Sequence, residues 1–161
     1  MEQRINIVET GSRALQALYG LGKYLEKSQI EKSLIDFINL RVSQINGCAY
    51  CLDMHSKDLR AEGESEQRLY VLNAWREAPF YSDRERAALA WAEALTNLNG
   101  AVPDEIYNEA KKYFSESELI DITMVVVAIN CWNRINLAFG SPVGTYTPGQ
   151  WKQESFETIK N

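Results

Sequence analysis

Residues 40–55 read LRVSQINGCAYCLDMH, and the pair Asn46-Gly47 decides how they fold. Ahead of that pair, positions 30, 34, 37, 38, 41, 42 and 45 (Ile, Leu, Phe, Ile, Arg, Val, Ile) recur at helical spacing, which predicts a helix from about Ser28 to Asn46. Asn-Gly suits the left-handed turn that closes a helix. Cys48 then begins a second helix, continuing through His55 to about Ala61 and ending near Gly63. A turn this tight sends the second helix back along the first, as an antiparallel pair. Within eight residues that pair carries two of the three cysteines and the only histidine of the 161-residue chain.

Helical periodicity continues outward in both directions. Residues 12–26 place Leu15, Leu18, Tyr19, Tyr24 and Leu25 on one face. Ser65 opens a shorter helix with Leu69, Val71, Leu72 and Trp75 as its apolar side, and Pro79 closes that segment. Ser82 with Glu85, and Ser115 with Glu118, are capping boxes: serine at the cap, glutamate three residues on. The first introduces a helix to about Asn97 and the second one over about 116–137. Between them Asp104–Tyr113 forms a modest helix behind Pro103. The 116–137 helix is apolar on most sides, which predicts a central position or a subunit contact. From Gly140 onward Pro142, Gly144, Pro148 and Gly149 predict an extended tail, with a last helical turn around Trp151–Ile159. No alternating strand pattern appears. The expectation is an all-α chain, a single domain over residues 1–161, with its core at about 12–137 and its tail at about 140–161.

At 45% hydrophobic and 11% aromatic the chain has material for a core, and a formal charge of −5 with scattered acids and bases offers no nucleic-acid surface. The beginning, MEQRINIVET, lacks the apolar stretch of a leader. The longest apolar run, residues 122–129, contains Thr123 and is followed by Asn130 and Asn133, far short of the ~18 apolar residues of a membrane helix. Three cysteines are too few for a secreted disulfide scaffold, so the expected compartment is cytoplasmic.

Positions 48, 51 and 55 are i, i+3 and i+7, one face over two helical turns. A helix N-terminus favours thiolate and lowers a cysteine pKa from about 8.5 toward roughly 7. His55, one turn past Cys51, can take its proton. Asp36 lies on the preceding helix among Leu34, Ile35, Phe37, Ile38 and Leu40. An acid there needs a partner, for which His55 is a candidate; a solvated surface acid is the plainer alternative. Ser43 and Tyr50 can hydrogen-bond within such a site or simply pack. Rival readings of the cysteine pair are two inert buried thiols, or zinc held by Cys48, Cys51, His55 and Cys131. Structural zinc sites more often draw ligands from two knuckles, and the chain offers one. A thioredoxin-type helix needs a strand before it, where a helix stands. Cys131 reads as a core thiol, and Trp75, Trp91 and Trp132 as core or interface residues.

The stretch Leu40–His55, with C-x-x-C-x-x-x-H following S-Q-x-N-G, resembles the active-site signature of the alkylhydroperoxidase AhpD-like family of the carboxymuconolactone decarboxylase superfamily. That signature runs Glu, eleven residues, C-x-x-C, three residues, His. Residues 72–95 (LNAWREAPFYSDRERAALAWAEAL) extend the likeness, which covers roughly 12–135. The resemblance implies an AhpD-like helical fold and a thiol peroxidase. In it Cys51 attacks a hydroperoxide and becomes a sulfenic acid, Cys48 resolves that to a disulfide, and an external dithiol reductant restores the pair. His55 moves the proton, with Asp36 behind it. The family also implies no metal or organic cofactor and a homo-oligomer, trimer or hexamer. Two positions depart from the pattern: Asp36 stands where the family has glutamate, and Tyr50 where its best-studied members have histidine. The decarboxylase branch lacks the C-x-x-C pair, which disfavours lactone decarboxylation. The alternative function is a non-catalytic redox-sensing or zinc-binding module using the same residues.

Overall fold

A computed structural model describes residues 2–151, and among them every regular element is helical. In chain order these are α1 (Ile7–Thr10), α2 (Ser12–Leu25), α3 (Lys32–Asn46), α4 (Ala49–Ala61), α5 (Glu66–Tyr70), a 3-10 turn at Leu72–Ala74, α6 (Asp83–Thr96), α7 (Asp104–Ala110) and α8 (Glu116–Phe139). The all-α expectation holds. Both capping boxes form, Ser82 with Glu85 and Ser115 with Glu118, each serine accepting the glutamate N–H while the glutamate accepts the serine N–H.

Boundaries move where side chains compete for the backbone. α3 begins at Lys32 rather than near Ser28, because the Ser28 hydroxyl accepts from the Ile30 N–H and holds a bend. α1 is an addition, started by Asn6, whose side chain accepts from the Val8 and Glu9 N–H groups. The helix expected from Ser65 breaks at Val71 into α5 and the 3-10 turn, and α7 stops at Ala110. The turn expected around Trp151–Ile159 lies outside the described residues apart from Trp151.

α3 is buried on two sides. Ile38 and Val42 pack with Ala88 and Ala92 of α6 and with Ile122, Val126 and Ile129 of α8. Phe37 and Leu40 pack with Leu59 of α4, Leu72, Trp75 and Leu89 in a second cluster. Each such aliphatic or phenyl side chain contributes about 1.5–3 kcal/mol on burial, so the helix that precedes the cysteines is held from both sides. Trp75 and Trp91 are core residues, as expected, and their indole N–H groups donate to Glu93 (2.9 Å) and Thr123 (3.1 Å). Trp132 is half-buried against the first cluster, and Cys131 is half-buried rather than enclosed.

α8 takes the central position. It packs on α2, α3 and α6 through Leu119, Ile122, Val125, Val126 and Ile129. It is long and apolar enough by length and composition to cross a bilayer, yet it sets the amides of Asn133 and Asn136 inside the fold. Its outer side exposes Ile120 (60%) and Val127.

Candidate active site

The site starts from one turn. Gly47 adopts φ 67°, ψ 30°, the left-handed conformation that glycine reaches without a Cβ penalty. Its N–H bonds the Gln44 carbonyl at 3.3 Å, and the Cys48 N–H bonds the Ser43 carbonyl at 3.1 Å. These two bonds are the Schellman ending of a helix. Cys48 is also the N-cap of α4, in extended conformation, with its sulfur accepting the Cys51 N–H at 3.4 Å. One residue thus ends α3 and begins α4. The ion pair of Lys32, at the start of α3, with Glu62, just past the end of α4, at 2.5 Å shows that the helices run antiparallel.

Asparagines on α8 fix the turn from the other side. Asn46 donates to the side-chain oxygens of Asn130 (3.0 Å) and Asn133 (2.9 Å), and Asn133 donates to the Ser43 hydroxyl at 3.1 Å. Ser43 and Asn133 are fully buried, so the bond between them stands where water cannot enter. Asn130, Asn133 and Asn136 were not singled out from the sequence, although their i, i+3, i+6 spacing marks a polar stripe in an apolar helix.

Cys48 and Cys51 are joined as a disulfide with Cα atoms 5.3 Å apart, and each is only 1% exposed. Among the described residues each sulfur has one donor. For Cys48 it is the backbone N–H of Cys51; for Cys51 it is the side-chain N–H of Asn136 at 3.5 Å. Among the described residues no three of His, Cys, Asp and Glu gather as a metal-binding group.

His55 lies on the same face of α4, buried, and its Nε2 has no hydrogen-bond partner among the described residues. Burial, helped by the nearby positive charge of Lys32, lowers its pKa to about 4, so at neutral pH it is an uncharged imidazole. Asp36 is buried too, and Lys32 bonds it from one turn away on α3. Burial raises the Asp36 pKa; Lys32 opposes that rise, while Glu62 and Asp58 add to it. Cys48, Cys51 and His55 thus lie along one face of α4, while Asp36, buried on α3, has its carboxylate bonded to Lys32. Lys32 escaped sequence reading because lysine in a first helical turn looks like ordinary solvated charge.

Residues 141–151 run along α4 as a strap. The Gly144 N–H bonds Asp53 (3.1 Å), Lys57 donates to the Gly144 and Tyr146 carbonyls, and the Tyr146 hydroxyl donates to Asp58 at 2.9 Å. The Trp151 indole N–H donates to the Tyr50 hydroxyl at 3.0 Å, so one of the two residues between the cysteines is held by the tail.

The model of the carboxymuconolactone decarboxylase family matches residues 12–94, from α2 through α6. The uncharacterized protein YdfG of Bacillus subtilis (strain 168) is 40% identical over 142 residues, 88% of this chain and 97% of YdfG. The crystal structure of ATU0492 from Agrobacterium tumefaciens, a protein of unknown function and candidate antioxidant-defence protein AhpD, superposes with a TM-score of 0.86 at 39% identity, over 90% of this chain and all of that one. That of the debrominase Bmp8 gives 0.73 at 25% identity, over 85% of this chain and 74% of Bmp8. With the helical architecture, the C-x-x-C pair at the start of α4 and these likenesses in agreement, the chain belongs to the carboxymuconolactone decarboxylase family, with an AhpD-like fold.

Proposed function

We propose that this protein is a thiol-dependent peroxidase that reduces hydroperoxides through Cys48 and Cys51. The observation that carries the reading is the disulfide across the first turn of α4, within 5.3 Å between Cα atoms, beside a buried neutral imidazole. A dithiol so placed can open and close without rearranging the helices around it. The higher identity to ATU0492 than to Bmp8 weighs toward an oxygen–oxygen bond as the target, rather than a carbon–bromine bond.

The cycle balances as follows. The Cys51 thiolate attacks the terminal oxygen of ROOH; an S–O bond forms, the O–O bond breaks, and the alkoxide takes a proton to leave as ROH. The Cys48 thiol then attacks the sulfenic sulfur, forming the disulfide and releasing water. An external dithiol, itself oxidised to a disulfide, returns both cysteines to thiols. His55 accepts the Cys51 proton and delivers one to the departing oxygen, with Asp36 as the acid behind it. The reading includes a cytoplasmic setting, where reduced dithiols are available, and assembly as a homo-oligomer, trimer or hexamer.

The test is consumption of hydrogen peroxide and cumene hydroperoxide by reduced protein with dithiothreitol in excess. Turnover is expected, lost in Cys51→Ser, and one equivalent of peroxide should leave the 48–51 disulfide visible by mass spectrometry. A redox sensor would form the disulfide without turnover. A zinc module would instead retain stoichiometric metal through purification and lose it in Cys51→Ser.

A further inference from the structure

Two thiols at the start of one helix are not equivalent, and the backbone alone favours the wrong one for the cycle above. Cys48 is the N-cap: its sulfur receives the Cys51 N–H and sits at the positive end of α4. By that geometry Cys48 should ionise first. Cys51 lies inside the first turn, where its own N–H points back to Cys48. Among the described residues, the one donor that reaches the Cys51 sulfur comes from another helix, the Asn136 amide of α8.

The orientation of that amide is determined by its other partners. Nδ2 donates to the Trp132 carbonyl at 2.9 Å, and a carbonyl can only accept. Oδ1 accepts from the Ser141 hydroxyl at 2.6 Å. Turning the amide over would set oxygen against oxygen at Trp132, so the nitrogen must face the sulfur. Gly140 helps to set this corner. It ends α8 at φ 69°, and a Cβ there would lie 2.7 Å from the Glu2 carbonyl oxygen, so the first residues of the chain close against it.

We infer that Asn136, held in orientation by Ser141, stabilises the Cys51 thiolate and so makes the second cysteine of the pair the nucleophile. The inference rests on the dithiol reading above. An N–H donor in a buried site favours the charged form of its acceptor, and more strongly there than in water. The ionisable groups on the elements next to the dithiol are Tyr50, Asp53, His55, Lys57, Asp58 and Arg60 on α4, Glu62 just past it, Lys32, Asp36 and Arg41 on α3, and Tyr146 on the strap. α8 brings only neutral amides to this side, its Arg134 being exposed.

The test reads thiolate directly, without peroxide. In a background of Cys131→Ser, each remaining thiol is isolated with Cys48→Ser or Cys51→Ser, and its alkylation by iodoacetamide is followed from pH 5 to 10 with 240 nm thiolate absorbance. Asn136→Ala should slow alkylation of Cys51 at pH 7 about tenfold, a shift of about one pKa unit. Asn136→Asp should slow it further, because it sets a carboxylate where the donor was. Cys48 should change by less than twofold in both. Equal slowing of both thiols, or none at Cys51, overturns the inference. If Asn136→Ala does not fold, Ser141→Ala decides: it leaves the amide in place with only the Trp132 carbonyl to orient it, and slows Cys51 alone about threefold; an unchanged Cys51 overturns the inference. Because wild-type peroxide turnover is measured separately, failure of the peroxidase reading shows there and not in these rates.

Discussion

Lys32 bonds the carboxylate of Asp36 from one turn earlier on α3, while the Nε2 of His55 across on α4 has no such partner among the described residues. The acid that the resemblance sets behind the histidine is thus occupied by a lysine. Aspartate, one methylene shorter than the family's glutamate, sits close enough to its own helix for Lys32 to hold it at i, i+4.

Lengthening the acid should therefore help. Asp36→Glu is expected to raise the rate constant for peroxide reduction a few-fold, and Asp36→Asn to lower it about tenfold, within the range of a general acid–base contribution. Stopped-flow competition against a second peroxide scavenger measures both. A rate indifferent to either change removes Asp36 from the relay.

The buried imidazole predicts an acid-side loss of stability. His55 titrates near 4 in the folded chain and near 6.5 unfolded, so between these values the unfolded state binds more protons. Its contribution is complete above about pH 6.5 and is lost as pH falls toward 4. The raised pKa of Asp36 acts with the opposite sign, favouring the folded state as acid is added, and it is common to both proteins compared. Between pH 7 and pH 5, wild type should lose about 2 kcal/mol more than His55→Gln in urea unfolding. Parallel losses would mean that the imidazole is not buried neutral.

Gly47 offers a purely conformational test. A Cβ there meets nothing within 4 Å, so Gly47→Ala adds no clash, only the cost of a left-handed residue, about 1–2 kcal/mol. Asparagine, which tolerates that region, should cost less. Thermal unfolding of reduced protein separates the two.

The strap predicts how reductant gains access. Both cysteines are enclosed in the disulfide form, and Tyr146 fastens residues 141–151 to Asp58. Tyr146→Phe removes that bond, keeps the ring, and should speed reduction of the disulfide by dithiothreitol a few-fold. An unchanged rate would place the access route elsewhere.

Periodicity and capping residues are enough to read the long helices α3, α4, α6 and α8, because Ser82–Glu85, Ser115–Glu118 and Asn46-Gly47 each carry their structure in local chemistry, whereas α1 and the break at Val71 are not legible that way. The dithiol and His55 were legible for the same reason, lying on one face of one helix. What stayed hidden was contributed from far along the chain. Asn133 and Asn136 reach the site across 85 to 90 residues of sequence, and Tyr146 across 88. Nothing local distinguishes an asparagine that bonds a sulfur from one that packs beside it. Lys32 was hidden differently, since its spacing to Asp36 is that of any helical ion pair and only burial gives it consequence.

Cys48 caps α4 with a sulfur that also belongs to the disulfide, so the stability of the first turn of α4 and the reduction potential of the pair are linked. Any change that stabilises the first turn of α4 in one oxidation state alone must move the potential, by about 30 mV for every 1.4 kcal/mol. The protein's oxidant strength is then adjustable by substitutions at Ala49 or Tyr50 that touch neither thiol, and amide exchange at Cys51 reports the balance.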